Sequence, residues 1–115
     1  MDIEKVVKGF MDMAEDDWVG LGFISNDVAQ VLGVEQSEQN LELTLAVVRE
    51  LLKRGLLAGD SPAFTDHFNP WPHQDADAIC TFIRLEWAKR DGPPDWGDAP
   101  WFAHLRFCKP VNAAA

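Results

Sequence analysis

Apolar residues recur along this chain at helical spacing in four stretches. Ile3, Val6, Val7, Phe10 and Met13 predict a helix from Asp2 to about Ala14. Glu15–Asp17 then set negative charge against the negative end of that helix dipole. Either the helix stops before them or another group holds them there. "WVGLGF", at 18–23, reads as an extended connection packed into the core. Ser25 or Asn26 caps a short second helix, with Val28, Val31 and Leu32 facing inward and Gly33 as the stop. In the third helix, capped by Ser37 or Asn40, Leu41, Leu45, Val48 and Leu52 form one stripe, and Leu43, Val47 and Leu51 form a second beside it. A stripe that wide predicts a central helix packed on more than one side. Arg49, Lys53 and Arg54 suit its last turn, and Gly55 ends it.

The short strand "LLA" follows, closed by "GDSP". Residues 61–74 hold three prolines and no period, but Phe64, Phe68 and Trp71 make them an ordered loop rather than a linker. A fourth helix starts with Asp75 and Asp77 in its first turn and ends near Arg90. Ile79, Phe82, Ile83 and Trp87 line it, with Cys80 and Leu85 beside them. "DGPPDWGDAP" is a second loop, and "WFAHLRF" alternates as a strand does. The order helix, helix, helix, strand, helix, strand predicts a mainly α (α+β) fold. The expected form is a winged-helix-like helical domain with a small β-hairpin. One globular domain over residues 1–111 is expected, with a flexible tail at 112–115.

Helix three invites a DNA-binding reading, since "VRELLKRGLLAGD" resembles the end of a recognition helix running into a wing. Charge argues against it. The net charge is -9, which a phosphate backbone or an anionic membrane repels. The N-terminal half of that helix offers Glu38, Gln39, Asn40, Glu42 and Thr44, so carboxylates would face phosphates. Eight acids against two lysines over 1–35 give -6, and only residues 100–115 are net positive. No nucleic-acid or membrane partner is therefore expected. No apolar run approaches the roughly 18 residues of a membrane span, and the N-terminus lacks the apolar core of a signal peptide. The expected location is the cytoplasm.

Chemistry-bearing residues are sparse. His67 and His73 share a loop with Asp66, Asp75 and Asp77, but their spacing matches no metal-ligand pattern. No phosphate-cradling glycine loop or nucleophile elbow occurs. Cys80 and Cys108 sit among apolar neighbours and read as buried thiols. The expectation is a protein that is not an enzyme and holds no cofactor or metal.

Two features remain. Acid is grouped at Glu15, Asp16 and Asp17, at Asp66, Asp75 and Asp77, and at Asp91, Asp95 and Asp98. Of five tryptophans, Trp18 and Trp87 fall on core stripes, while Trp71 and Trp96 sit in the loops. An aromatic anchor ringed by carboxylates suits a basic protein partner. The expected partner-binding set is therefore Asp16, Asp17, Asp66, Trp71, Asp75, Asp77, Asp91, Asp95, Trp96 and Asp98.

The segments "DDWVGLGFISNDV", "VVRELLKRGLLAGD", "PWP" before an acidic helix, and "GDAPWFAHL" span residues 16–105. Together they resemble small acidic bacterial immunity proteins of toxin systems, of the contact-dependent growth inhibition type. The resemblance implies a cytosolic protein that binds and neutralises a basic toxin domain, a nuclease, without catalysis of its own. It carries no residue-level site with it. The alternative is an acidic adaptor or anti-activator of winged-helix-like fold that does not bind DNA.

Overall fold

A computed structural model describes residues 2–35, 37–60, 68–90, 92 and 99–108. Four α-helices, α1 (Glu4–Met13), α2 (Leu21–Leu32), α3 (Glu38–Lys53) and α4 (Ala76–Arg90), surround a small sheet of β1 (Val19–Gly20), β2 (Leu57–Gly59) and β3 (Trp101–Ala103). A 3-10 turn, Leu105–Phe107, follows β3. The sheet is antiparallel with order β1-β3-β2. The fold is mainly α with a small sheet, and α2–α3 followed by β2 and β3 is the winged-helix-like arrangement.

Three details depart from the sequence expectation. First, β2 and β3 pair directly, Ala58 opposite Phe102, but no hairpin turn joins them. Helix α4 stands between the two strands in the chain, as the predicted order of elements requires, so the pairing closes over a long connection and not over a hairpin turn. Second, α2 begins at Leu21, not near Ser25, and its N-cap is Gly20 without a side-chain cap bond. The stripe Leu21, Ile24, Val28 is buried, which outweighs the capping preference of Ser25, while Val31 is exposed. Third, strand β3 stops at Ala103, and Leu105–Phe107 curls instead, carrying Arg106 back toward α1.

The core is built around α3. Val47, Val48 and Leu51 are fully buried among Val6, Val7 and Phe10 of α1, Ile24 and Val28 of α2, and Ile79 and Ile83 of α4. Within this apolar setting lies a polar knot. Asn40 is fully buried, and its Nδ2 donates to the carbonyls of Val34 at 2.9 Å and Ser25 at 3.3 Å. Its Oδ1 accepts from the hydroxyls of Ser25 and Thr44, both at 3.2 Å. Every donor and acceptor of the amide is used, so burial leaves none unpaired. Ser37, not Asn40, caps α3, its hydroxyl accepting from the Asn40 N–H at 3.2 Å. Asn40 and Thr44, expected on an exposed face, are therefore core residues that fix α3 against α2 and the turn between them.

The helices also meet through exposed ion pairs. Arg49 contacts Asp77 at 2.8 Å, and Arg84 forms a two-pronged pair with Glu42, one arm at 2.7 Å. The partners lie seven residues apart on each helix and pair in reverse order, which sets α3 and α4 antiparallel. Arg54 joins α3 to α1 through Glu4 at 2.7 Å. Such exposed pairs add little stability individually. The puzzle of Glu15 resolves on the same basis. Helix α1 stops at Met13, and the Arg106 guanidinium donates to both the carbonyl and the carboxylate of Glu15.

Two outcomes follow from this packing. Asn40→Ala removes four buried side-chain bonds and strands their partners, so urea denaturation is expected to show a loss of about 3 kcal/mol. Ser37→Ala removes one cap bond and is expected to cost about 1 kcal/mol; equal losses would refute the special weight of Asn40. The second outcome concerns pH. Hydrogen bonds from Arg54 and Arg84 hold Glu4 and Glu42 below the ordinary carboxylate range. Both bind protons more weakly folded than unfolded, so their contribution is complete above about pH 4.3 and lost as pH falls through the lowered folded values. Glu42→Gln should therefore be slightly less stable than the parent at neutral pH and match it near pH 2. A gap that persists in acid would sink this assignment.

Candidate functional site

The segment Phe68–Gln74 is pinned to the sheet by backbone and side-chain hydrogen bonds. It runs beside β2, the edge of the sheet, and extends it. Asp60 N–H donates to the Asn69 carbonyl at 3.1 Å, and Trp71 N–H donates to the Ala58 carbonyl at 2.9 Å. The carboxamide of Gln74 imitates a further peptide unit. Its Oε1 accepts from Ala58 N–H at 2.7 Å, and its Nε2 donates to the Ala58 carbonyl at 2.8 Å and the Trp71 carbonyl at 2.9 Å. An open strand edge is thereby closed. Gly59 permits the approach, since a Cβ there would strike the Asn69 carbonyl and lie 2.6 Å from the Phe68 ring. The sequence read Gly59 and Asp60 as a turn; they are a packing contact and a side-chain acceptor.

This anchoring presents Trp71 over α4. Its indole N–H donates to Asp60 Oδ1 at 2.8 Å, and its ring meets Phe82 edge-on with centroids 5.2 Å apart. Between loop and helix lies an open groove of about 460 Å³, lined by Asp60, Trp71, Pro72, His73, Ile79 and Phe82 among others. Phe82 is 40% exposed and Leu85 58% exposed, although both lie in a helix whose other side, Ile79, Cys80, Ile83 and Trp87, is buried. A second, smaller hollow of about 90 Å³ continues along α4 past Phe82 to Glu86, Trp87 and Arg90.

The acids expected to ring Trp71 are employed separately. Asp75 Oδ2 accepts the Ala78 N–H at 3.0 Å and so caps α4. Asp77 reaches Arg49 of α3. Asp17 Oδ1 accepts the N–H of Trp18 at 2.7 Å, and Asp16 is exposed in the turn after α1. Trp18 itself is partly buried, edge-on to Phe68. Asp66, Asp91, Asp95, Trp96 and Asp98 lie outside the described residues, as do His67 and the 112–115 tail. Of the described members of the expected set, only Trp71 falls in the groove. The carboxylate beside it is Asp60, which local sequence assigned to a turn. Phe82, expected in the core stripe, is the other aromatic wall. A signal for it was present: apolar residues at 78, 82 and 85 lie alongside those at 79, 83 and 87, more than one buried face needs.

Among the described residues no group of three His, Cys, Asp or Glu side chains is placed to hold a metal. Cys80 is buried and Cys108 partly buried; both are free, and burial pushes both thiols up, away from the reactive thiolate. The described groove thus offers apolar and aromatic walls with one carboxylate, which is chemistry for binding.

The loop geometry predicts the effect of Gln74→Ala. Amide exchange at Ala58 and Trp71 should quicken, with a loss of about 1–2 kcal/mol in global stability. Unchanged exchange at both amides would show that the carboxamide does not hold the loop. Compared with protein-family models, curated proteins and solved structures, the chain matches none.

Proposed function

We propose that this protein acts by binding a basic protein, and that its role is to neutralise a toxin domain, a nuclease being the chemistry whose cleft best complements it. The observation that carries the reading is the net charge of -9 on a scaffold whose α3 arginines are engaged by carboxylates of the same chain. On α3, Arg49 is engaged by Asp77 and Arg54 by Glu4 and Glu50. Helix α4 packs along α3, and its own Arg84 is tied to Glu42. The cationic residues that would meet phosphates are thus largely committed to carboxylates of the same chain. An acidic surface of this kind steers a basic partner and speeds its association. A nuclease presents such a partner, because its substrate cleft must attract phosphate. The resemblance of residues 16–105 to acidic immunity proteins supports the same role, exercised in the cytoplasm where such a toxin acts.

A second reading has one observation of its own. The apolar groove under Trp71 suits an adaptor or anti-activator that holds a peptide segment, with no toxin involved.

The test is capture of partners from the native host by the intact chain at low and moderate salt, followed by assay of the captured protein. The expected result is one basic partner that dissociates as salt rises and whose nuclease activity the purified chain blocks at equal stoichiometry. A partner held regardless of salt, or one whose activity continues in the complex, overturns the toxin reading. DNA mixed with the chain at low salt should show no mobility shift, where even weak phosphate contacts register.

A further inference from the structure

The groove and the smaller hollow beside it share Phe82 and Ala99, so they form one track along α4. From Ala78 to Arg90 the helix rises about 18 Å, enough for roughly three turns of a docked helix. The track has an order. Asp60 stands at the end nearest Trp71, aromatic and aliphatic walls fill the middle, and Glu86 stands toward the other end, with Arg90 beyond it. Ala78, Phe82 and Glu86 line the track at i, i+4 and i+8, so one face of α4 runs along its length. Trp71 is braced from behind by Asp60, Gln74 and Ala58, so the wall is preorganised and binding need not order it.

Charge selects the occupant. A second copy of this chain would bring another -9 charge to a surface where Asp60 stands beside Trp71, while Glu86 at the far end is paired with Lys89 at 3.0 Å. A segment with apolar side chains flanked by lysine or arginine meets both the walls and the Asp60 carboxylate. We propose that the α4 track is the docking site for an amphipathic, lysine- or arginine-bearing segment of the partner. This rests on the reading of a basic protein partner and moves the contact from the acidic loops to Trp71, Phe82 and Asp60. The aromatic pair supplies most of the affinity, and Asp60 supplies selectivity for cationic neighbours.

The experiment titrates the full chain, isotopically labelled, with a 14-residue helical peptide of leucine and lysine. The control peptide replaces each leucine with serine and keeps the charge. Expected are shifts centred on the Trp71 indole and on residues 78–86, with the leucine peptide at least tenfold tighter than the control. Phe82→Gln, at an exposed position, should weaken binding about tenfold while leaving the circular dichroism unchanged. Asp60→Asn keeps an acceptor for the indole and should lower affinity less, with a shallower salt dependence. If both peptides bind alike and Phe82→Gln has no effect, charge alone binds; the track is then wrong, while the basic-partner reading stands. If neither peptide binds, the track is wrong, and the basic-partner reading is decided separately by the salt-dependent capture. Dimerisation of the chain through the same residues, seen by sedimentation, would assign the track to a second copy and overturn the proposal.

Discussion

The buried amide of Asn40 is the constraint on which the arrangement of this molecule depends. One side chain bonds the carbonyl of Ser25 in α2, the carbonyl of Val34 in the turn, and the hydroxyls of Ser25 and Thr44. Apolar burial is not directional and would tolerate several angles between α2 and α3. Four directional bonds to one amide tolerate few. With α3 so held, its wide apolar stripe meets α1 on one side and α4 on another, and its C-terminus delivers the chain through Gly55 into β2. The positive φ of 103° at Gly55 makes that exit one that an L side chain rarely adopts.

The insertion of α4 between β2 and β3 changes what the scaffold can do. In a helix-turn-helix that reads DNA, the recognition helix keeps one face open for the major groove. Here the antiparallel partner α4 takes part of that surface and binds Glu42 and Arg49 in ion pairs. The insertion also creates the groove. The returning chain must pass the open edge of β2, and it covers that edge with Trp71 and Gln74 backbone and side-chain bonds. The same bonds that satisfy the sheet edge therefore position the aromatic wall. Stability and site share one set of contacts, so the loop is ordered by necessity of the sheet and not only for a ligand.

Acid is distributed differently from its grouping in the chain. Glu15 is a C-terminal anchor for Arg106, Asp75 is a helix cap, and Asp77 clamps two helices. Each has a local task, yet each still contributes to the field felt at a distance. Only at contact range does the difference matter: among the described residues Asp60, isolated in sequence from any acidic run, is the carboxylate beside the aromatic walls of the groove.

Much of this was determined by sequence alone. The helical stripes located α1, α3 and α4 nearly to the residue, because a 3.6-residue period over ten or more positions is read locally. Net charge needed no structure, and it sets the sign of the field around the chain. The mainly α fold with a small sheet follows from the order of elements. Other features were decided only by tertiary contacts. Ser25, Asn40 and Thr44 carry the signature of caps and exposed polar positions, and no local rule says that they meet inside the core. Gly59 looks like a turn until the Asn69 carbonyl arrives from ten residues away. Trp71 and Phe82 become one surface because Gln74 and Ala58 hold the loop against β2. Periodicity records which face of an element is apolar; which other element covers that face, and which part stays open, is set by contacts between residues distant in the chain.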